Sequence, residues 1–275
     1  MRRVISARSV CEIVLLIASM TCYSSSTTLA SEVLYGVKVV EGTLVVRSLD
    51  LTGALVEQPG SLMQPGNERL NAMFQNQDRS INVVRTSTKR DVTHRALIRN
   101  IGIPGLITDA SGRRVDGLAA TDSISSLLIL KSGPPIALIS HYTDTPPFSL
   151  VAFDLRSWNV IALHLPWLDP NARYGHLTQC PDGAIYASSR EIEEGVHIIQ
   201  IELDRSTPRE ITELQVDGRA LRNDVSDLAC APSGRLYALA DPNYSGSNSL
   251  FAVNLSNGAM TRLQIFDVDR MVFVH

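Results

Sequence analysis

A chain of 275 residues is long enough for one large domain or two modest ones. Its 44% hydrophobic and 19% charged residues are the make-up of a globular protein with a real core, which excludes the disordered, collagen-like and coiled-coil classes. A formal net charge of −3 with no basic block gives nucleic acid no electrostatic footprint, so no nucleic-acid partner is expected.

The first element is a leader. Arg2, Arg3 and Arg8 make a basic start, Ile13-Val14-Leu15-Leu16-Ile17-Ala18 a short apolar run, and Thr28-Leu29-Ala30 a small-residue site before Ser31. This pattern predicts a secretory signal peptide over residues 1–30 and one mature domain over 31–275, secreted or periplasmic. The apolar run is too short for a membrane span. Ser19-Met20-Thr21 is a poor lipobox, so Cys22 is not read as a lipid anchor. Cleavage removes three arginines and one glutamate, taking the formal charge from −3 to −5.

The mature chain is repetitive. Leu177-Thr-Gln-Cys-Pro-Asp-Gly-Ala-Ile-Tyr-Ala187 aligns without a gap to Leu228-Ala-Cys-Ala-Pro-Ser-Gly-Arg-Leu-Tyr-Ala238, 51 residues on. Each reads as strand, Pro-x-Gly turn, strand. A second element follows: Ser149-Leu-Val-Ala-Phe-Asp-Leu155 matches Ser249-Leu-Phe-Ala-Val-Asn-Leu255, with His197-Ile-Ile-Gln-Ile-Glu-Leu203 between them. Further apolar stretches at Val160–Leu163, Glu210–Leu214 and Ala259–Leu263 complete about four short strands per unit of about 50 residues, the size of a propeller blade.

The earlier chain fits more loosely. Leu127–Gly133 with Ile136–Ile139 opens one unit, and Pro65-Gly66, Arg69–Ala72 and Ser80–Val84 open another. Leu34–Gly36, Leu44–Val46 and Ser48–Leu51 read as a unit lacking its first strand. The C-terminal Asp267–His275 resembles the opening Asp224–Cys230 and would supply that strand. The expected fold is therefore all-β: a β-propeller of about five four-stranded blades, its ring closed by the C-terminal strand. The units fall near 60–97, 118–165, 170–215 and 221–264, plus the shared one. Residues 97–117 read as an insertion or long connection; a sixth, degenerate blade there is the alternative count. No lasting 3.6-residue period with caps predicts a helix.

The repeat also bears on chemistry. It pairs Cys180 with Ala231 and Gln179 with Cys230, which puts the two cysteines on opposite faces of their strands. Two buried thiols are expected rather than a disulfide. There is no CxxC, H-E-x-x-H, Gly-x-Ser-x-Gly or phosphate-binding loop. His141, His164, His176 and His197 are scattered, with no two at ligand spacing.

Topology, rather than a motif, selects the candidate site. Segments entering the innermost strands converge on one mouth of a propeller channel. The alignment places Asp122, Arg173, Asp224 and Asp267 at related entries, with His176 and Asn223 beside them. Carboxylates and an amide there suit a hard cation such as Ca²⁺ or another divalent ion, with Asn223 and Asp224 as the candidate metal ligands. Arg173 suits an ion pair or a carboxylate-bearing ligand.

Arg222-Asn-Asp-Val-Ser-Asp-Leu-Ala-Cys-Ala-Pro-Ser-Gly-Arg-Leu-Tyr-Ala238 resembles the blade-opening motif of the gluconolactonase and senescence-marker propellers. The resemblance implies a propeller and, at Asn223 alone, a metal ligand; that family's other ligands, an early Glu and a late Asp, have no match here. Pro147–Leu155 is similar to a strand of the secreted royal-jelly and yellow-type propellers. The expected function is a non-catalytic secreted or periplasmic propeller that binds a small molecule, a glycan or a protein partner through loops at one channel mouth. The alternative is a metal-assisted hydrolase or lactonase with its cation at that mouth.

Overall fold

The computed structural model describes residues 32–274 except 42, 52–54, 63–67, 88–95, 101–112, 120, 142–146, 164 and 192. The expected leader over residues 1–30, His164 and Pro65-Gly66 lie outside the described residues. Strands and connections account for the described chain, with no helix among them, and the arrangement is that of a β-propeller.

The strands sort into five sheets. The first holds β1 (Val33–Val40), β2 (Thr43–Asp50) and β3 (Leu55–Leu62). The second holds β4 (Glu68–Gln75), β5 (Ile81–Ser87), β6 (Ala96–Asn100) and β7 (Arg113–Arg114). The third holds β8 (Asp122–Leu128), β9 (Ile136–His141), β10 (Phe148–Phe153) and β11 (Val160–Ile161). The fourth holds β12 (Ala172–Gln179), β13 (Ile185–Glu191), β14 (His197–Ile201) and β15 (Arg209–Glu213).

The fifth sheet is wider. Its core is β18 (Asp227–Cys230), β19 (Leu236–Ala240), β20 (Ser249–Val253) and β21 (Ala259–Ile265). Two short strands before them in the chain, β16 (Gln215–Val216) and β17 (Arg219–Ala220), extend its outer edge, β16 lying parallel to β21. The last strand, β22 (Arg270–Phe273), belongs to the first sheet, where Leu34 to Val37 of β1 pair with Phe273 to Arg270.

Two expectations are corrected here. The expected five or six four-stranded blades are not found: four sheets have four strands, and the other has six, because the connection between the fourth and fifth sheets turns back and pairs as β16 and β17. Residues 97–117 are not a separate insertion: β6 and β7 within them are the third and fourth strands of the second sheet. β7 is only two residues long, Arg113-Arg114, too short to show a period-2 signal.

The sheets pack face to face through apolar clusters. Phe74 and Val84 meet Ile124, Ala137 and Phe153 between the second and third. Leu138 and Leu150 meet Leu177, Ala187 and Ile199 between the third and fourth. Val196 and Ile198 meet Leu228, Leu236 and Phe251 between the fourth and fifth. Leu34, Leu49 and Phe273 pack against Tyr237 and Leu250 of the fifth, while Val37, Leu44 and Val46 pack against Met73 and Val83 of the second. Each strand alternates its side chains, so both faces are apolar wherever a sheet has a neighbour on each side.

The repeat persists in the turns. Gly183 N–H donates to Cys180 O at 3.0 Å, and Gly234 N–H to Ala231 O at 2.9 Å. The turn after β10 matches the turn after β20: Trp158 N–H donates to Asp154 O and Gly258 N–H to Asn254 O, both at 2.8 Å. Both residues take positive φ, 58° and 73°. At Trp158 the cost is offset by burial against the rings of Phe74 and Phe153. At Gly258 no side chain fits, since a Cβ would enter the carbonyl oxygen of Glu213. Gly258→Ala is therefore expected to cost roughly 1–3 kcal/mol, read as a lower urea midpoint with an unchanged slope.

The cysteines are bonded, against expectation. Cys180 and Cys230 form a disulfide with a Cα separation of 5.1 Å. Facing opposite sides of equivalent strands excludes a bridge within one sheet. Between consecutive stacked sheets it is what a bridge needs: Cys180 faces forward from the fourth sheet and Cys230 faces back from the fifth, both within one apolar cluster.

Candidate functional site

The entry ends of the inner strands surround a cavity of about 330 Å³. Arg173 and His176 of β12, Arg190 of β13, Asp224 before β18 and Arg270 of β22 line it. Arg173 and Arg190 stand directly opposite one another across the β12–β13 pair. Like charges facing across an antiparallel pair repel, so this register has a cost that the sheet alone does not repay.

The arginines are held in different ways. Arg190 Nη1 donates to Arg222 O at 2.9 Å and lies 3.1 Å from Asp224 Oδ1. Among the described residues Arg270 is fixed by carbonyls: Nε donates to Asn71 O at 2.6 Å, and Nη1 to Ser226 O at 2.8 Å and Asp269 O at 2.6 Å. Carbonyl oxygens orient a guanidinium without neutralising it. Arg173 is exposed. Among the described lining residues, three guanidinium groups thus share a wall with one carboxylate, that of Asp224.

His176 sits deeper. A bulge between Gly175 and Thr178 interrupts β12, and His176 takes φ 60° within it. Bulges re-aim side chains, and left-handed backbone at a non-glycine residue is retained only where its surroundings impose it. Here His176 Nδ1 comes within 3.3 Å of Asp227 Oδ1. Asp227 is buried, and its oxygens accept the N–H groups of Leu228 at 2.9 Å and Met271 at 2.7 Å. Asn71 donates to Ser123 Oγ at 2.9 Å, while its Oδ1 is buried with no hydrogen-bond partner among the described residues. Tyr174, also on the cavity wall, has its hydroxyl pushed above the usual range by burial.

Of the six residues singled out from sequence, Arg173, His176 and Asp224 line this cavity; Asn223, Asp122 and Asp267 are not among its lining. Asn223 Nδ2 donates to the Asp241 carbonyl. Asp122 is hydrogen-bonded to His141 at 2.7 Å. Asp267 pairs with Lys38 and lies 3.8 Å from Arg47, where the chain's last strand joins its first sheet. Asn223, Asp224 and Asp122 thus have three separate sets of partners. Among the described residues no group of three or more His, Cys, Asp or Glu is placed to hold a metal ion. Arg190, Arg270 and Asn71 escaped the sequence reading. Arg190 was visible only through its register opposite Arg173, which no local pattern announces.

The opposite end of the inner strands holds a second cavity, of about 250 Å³, walled mainly by apolar side chains such as Met73, Leu127, Leu228 and Phe273. Among its described lining residues the charged ones are Arg79 and Lys131.

No family model matches the chain, and no curated protein matches it. Solved structures do. An endo-arabinase from Bacteroides thetaiotaomicron superposes with a TM-score of 0.52 at 12% identity, covering 80% of this chain and 88% of that one. A protein of unknown function from Bacteroides caccae has a TM-score of 0.48 at 13% identity, covering 90% and 100%. A gluconolactonase from Xanthomonas campestris has a TM-score of 0.41 at 11% identity, covering 86% and 77%. At these identities the likeness to the endo-arabinase is one of fold alone, and it supports the propeller.

Proposed function

We propose that the protein is an exported propeller whose entry mouth binds a small anionic ligand, with a carboxylate or a similar oxyanion as the recognised group. The observation that carries this reading is the cross-strand Arg173–Arg190 pair, with Arg270 on the same wall and Asp224 as the one facing carboxylate. An anion bridging the guanidinium groups would turn a repulsion into paired, charge-assisted hydrogen bonds. Asn71 Oδ1 offers an acceptor to a ligand hydroxyl or amide, which favours a hydroxylated acid over a bare ion. A metal-assisted hydrolase gains less support, because a wall of three arginines disfavours a cation.

Five features support the ring: the apolar clusters between consecutive sheets, including those that join the first sheet to both the second and the fifth. In this reading β22 is the closing strand, in contact with β4 on one side and β18 on the other. The leader over 1–30 and the Cys180–Cys230 bridge support a secreted or periplasmic location.

Calorimetric titration of the purified protein with gluconate, glucuronate, citrate, inorganic phosphate and neutral glucose tests the binding reading. At least one acid is expected to bind, more weakly as salt rises, and glucose is not. Arg173→Ala should weaken that binding about 10- to 100-fold, the loss of one or two charge-assisted hydrogen bonds, and leave the melting temperature unchanged or higher. Binding of glucose alone, or an acid whose affinity ignores both salt and Arg173→Ala, would overturn the proposal.

A further inference from the structure

The third sheet carries a second polar arrangement, independent of the arginine-lined mouth. Asp122 opens β8, His141 ends β9 opposite it, and Ser149 is the second residue of β10. Asp122 Oδ1 lies 2.7 Å from His141 Nδ1, and Asp122 Oδ2 accepts the Ala119 N–H at 2.9 Å. His141 Nε2 lies 2.7 Å from Ser149 Oγ. The carboxylate beside Nδ1 selects the tautomer with its proton there. Nε2 is then the acceptor of the Ser149 O–H. The Asp122 side chain is 9% exposed and that of His141 17%, while Ser149 remains partly open to solvent.

Carboxylate, imidazole and hydroxyl in this order and at these distances are the groups that turn a serine into a nucleophile. We propose that Ser149 is an activated serine and that the protein hydrolyses acyl esters at it. Ser149 Oγ bonds to the ester carbonyl carbon as its proton passes to His141 Nε2. The bond from that carbon to the alcohol oxygen breaks, and His141 gives the proton to the departing alcohol. Water then adds to the acyl-serine, losing a proton to His141. The carbon–Oγ bond breaks, the carboxylic acid leaves, and the proton returns to Ser149. Asp122 holds the ring in place throughout.

A cross-strand clamp is the competing use of these three groups. The repeat argues against it. Ser249 fills the matching place in the fifth sheet, opposite Ala240, and two residues beyond Ala240 stands Pro242. Ser149 is opposite Ile139, and two residues beyond stands His141. The fifth sheet therefore forms without the histidine, so the relay is an addition to one sheet rather than a requirement of the fold. It also places polar groups on the same face as Ile139, at an apolar interface, where they cost stability unless fully paired.

The test is labelling of the folded, full mature chain with a fluorophosphonate, followed by peptide mass mapping. Attack by Ser149 forms an oxygen–phosphorus bond and releases fluoride. A single adduct is expected on Ser149 and none on Ser249. Its rate should rise about tenfold or more between pH 5 and 8, as general-base activation of a hydroxyl requires. His141→Gln, which keeps a polar side chain of similar reach, should slow labelling about a hundredfold or more. If that variant does not fold, the pH profile and the contrast between Ser149 and Ser249 in the unaltered protein decide. No adduct on Ser149, equal labelling of Ser249, a rate indifferent to pH, or a folded His141→Gln protein that labels normally would each assign the groups to a clamp and overturn the proposal.

Discussion

A chain ending at Arg270 is expected not to reach the native state. The five residues lost are few, but Met271 is 2% exposed and Phe273 1%. Burial of each contributes about 2–3 kcal/mol. Removing them also strips the pairing of Leu34, Tyr35 and Gly36 with β22. Asp227, buried and hydrogen-bonded to Met271 N–H, would lose that donor, and an under-paired buried carboxylate costs more than the bond it lost. The total is comparable to the 5–15 kcal/mol that separates a typical folded domain from its unfolded chain. Size-exclusion chromatography and far-ultraviolet circular dichroism should report an aggregated or unfolded product. Phe273→Ala, a milder change, should fold with a loss of about 3–5 kcal/mol. A monomeric truncated chain with the native melt would remove β22 from any closing role.

The second large effect is expected at the disulfide. Cys180 and Cys230 are 50 residues apart, and cross-linking a loop of that length removes entropy from the unfolded chain worth about 4 kcal/mol. Replacing both with Ser should therefore lower stability by about that amount. For a domain of this size the melting temperature should fall by roughly 10 °C. Two effects of smaller size act in opposite senses. Hydroxyls in the apolar cluster of Val196, Leu228 and Phe251 add a penalty, while Thr178 Oγ1 still accepts the Cys230 N–H at 3.0 Å and keeps the two inner strands in register. A double Ala variant separates the loss of the bond from the burial of hydroxyls. Equal melts for the unaltered protein with and without reductant would count against the bridge.

Much of the fold was legible because its signals are local. Pro181-Asp-Gly183 and Pro232-Ser-Gly234 mark turns by residue chemistry, and alternation around Leu228 to Leu236 marks strands. The outer strands were harder. β16 and β17 are two residues long and pair with chain made later, which no window of sequence contains. The disulfide was misread for a geometric reason: alternation fixes the face a cysteine takes on its own sheet, whereas the bridge depends on how two sheets stack. The candidate mouth was half legible. Repeat alignment found Arg173, His176 and Asp224, since blade entries recur at a fixed spacing. It missed Arg270, which stands where the fifth sheet has Asp227, and it misplaced Asp267, because the basic neighbours Lys38 and Arg47 belong to a strand pair over 200 residues away. His141 looked isolated because its partners, Asp122 and Ser149, come from the strands on either side of its own.

The pairing of β22 with β1 also orders events in time. If the chain is exported as proposed, it crosses a membrane from its N-terminus, so Leu34 to Val37 emerge first and their inner neighbours, Arg270 to Phe273, last. The first sheet has to wait, its inner edge unpaired, until nearly the whole chain has been delivered. Contacts of such sequence separation form slowly. Under the proposed export, completion of threading and completion of the first sheet would be the same event.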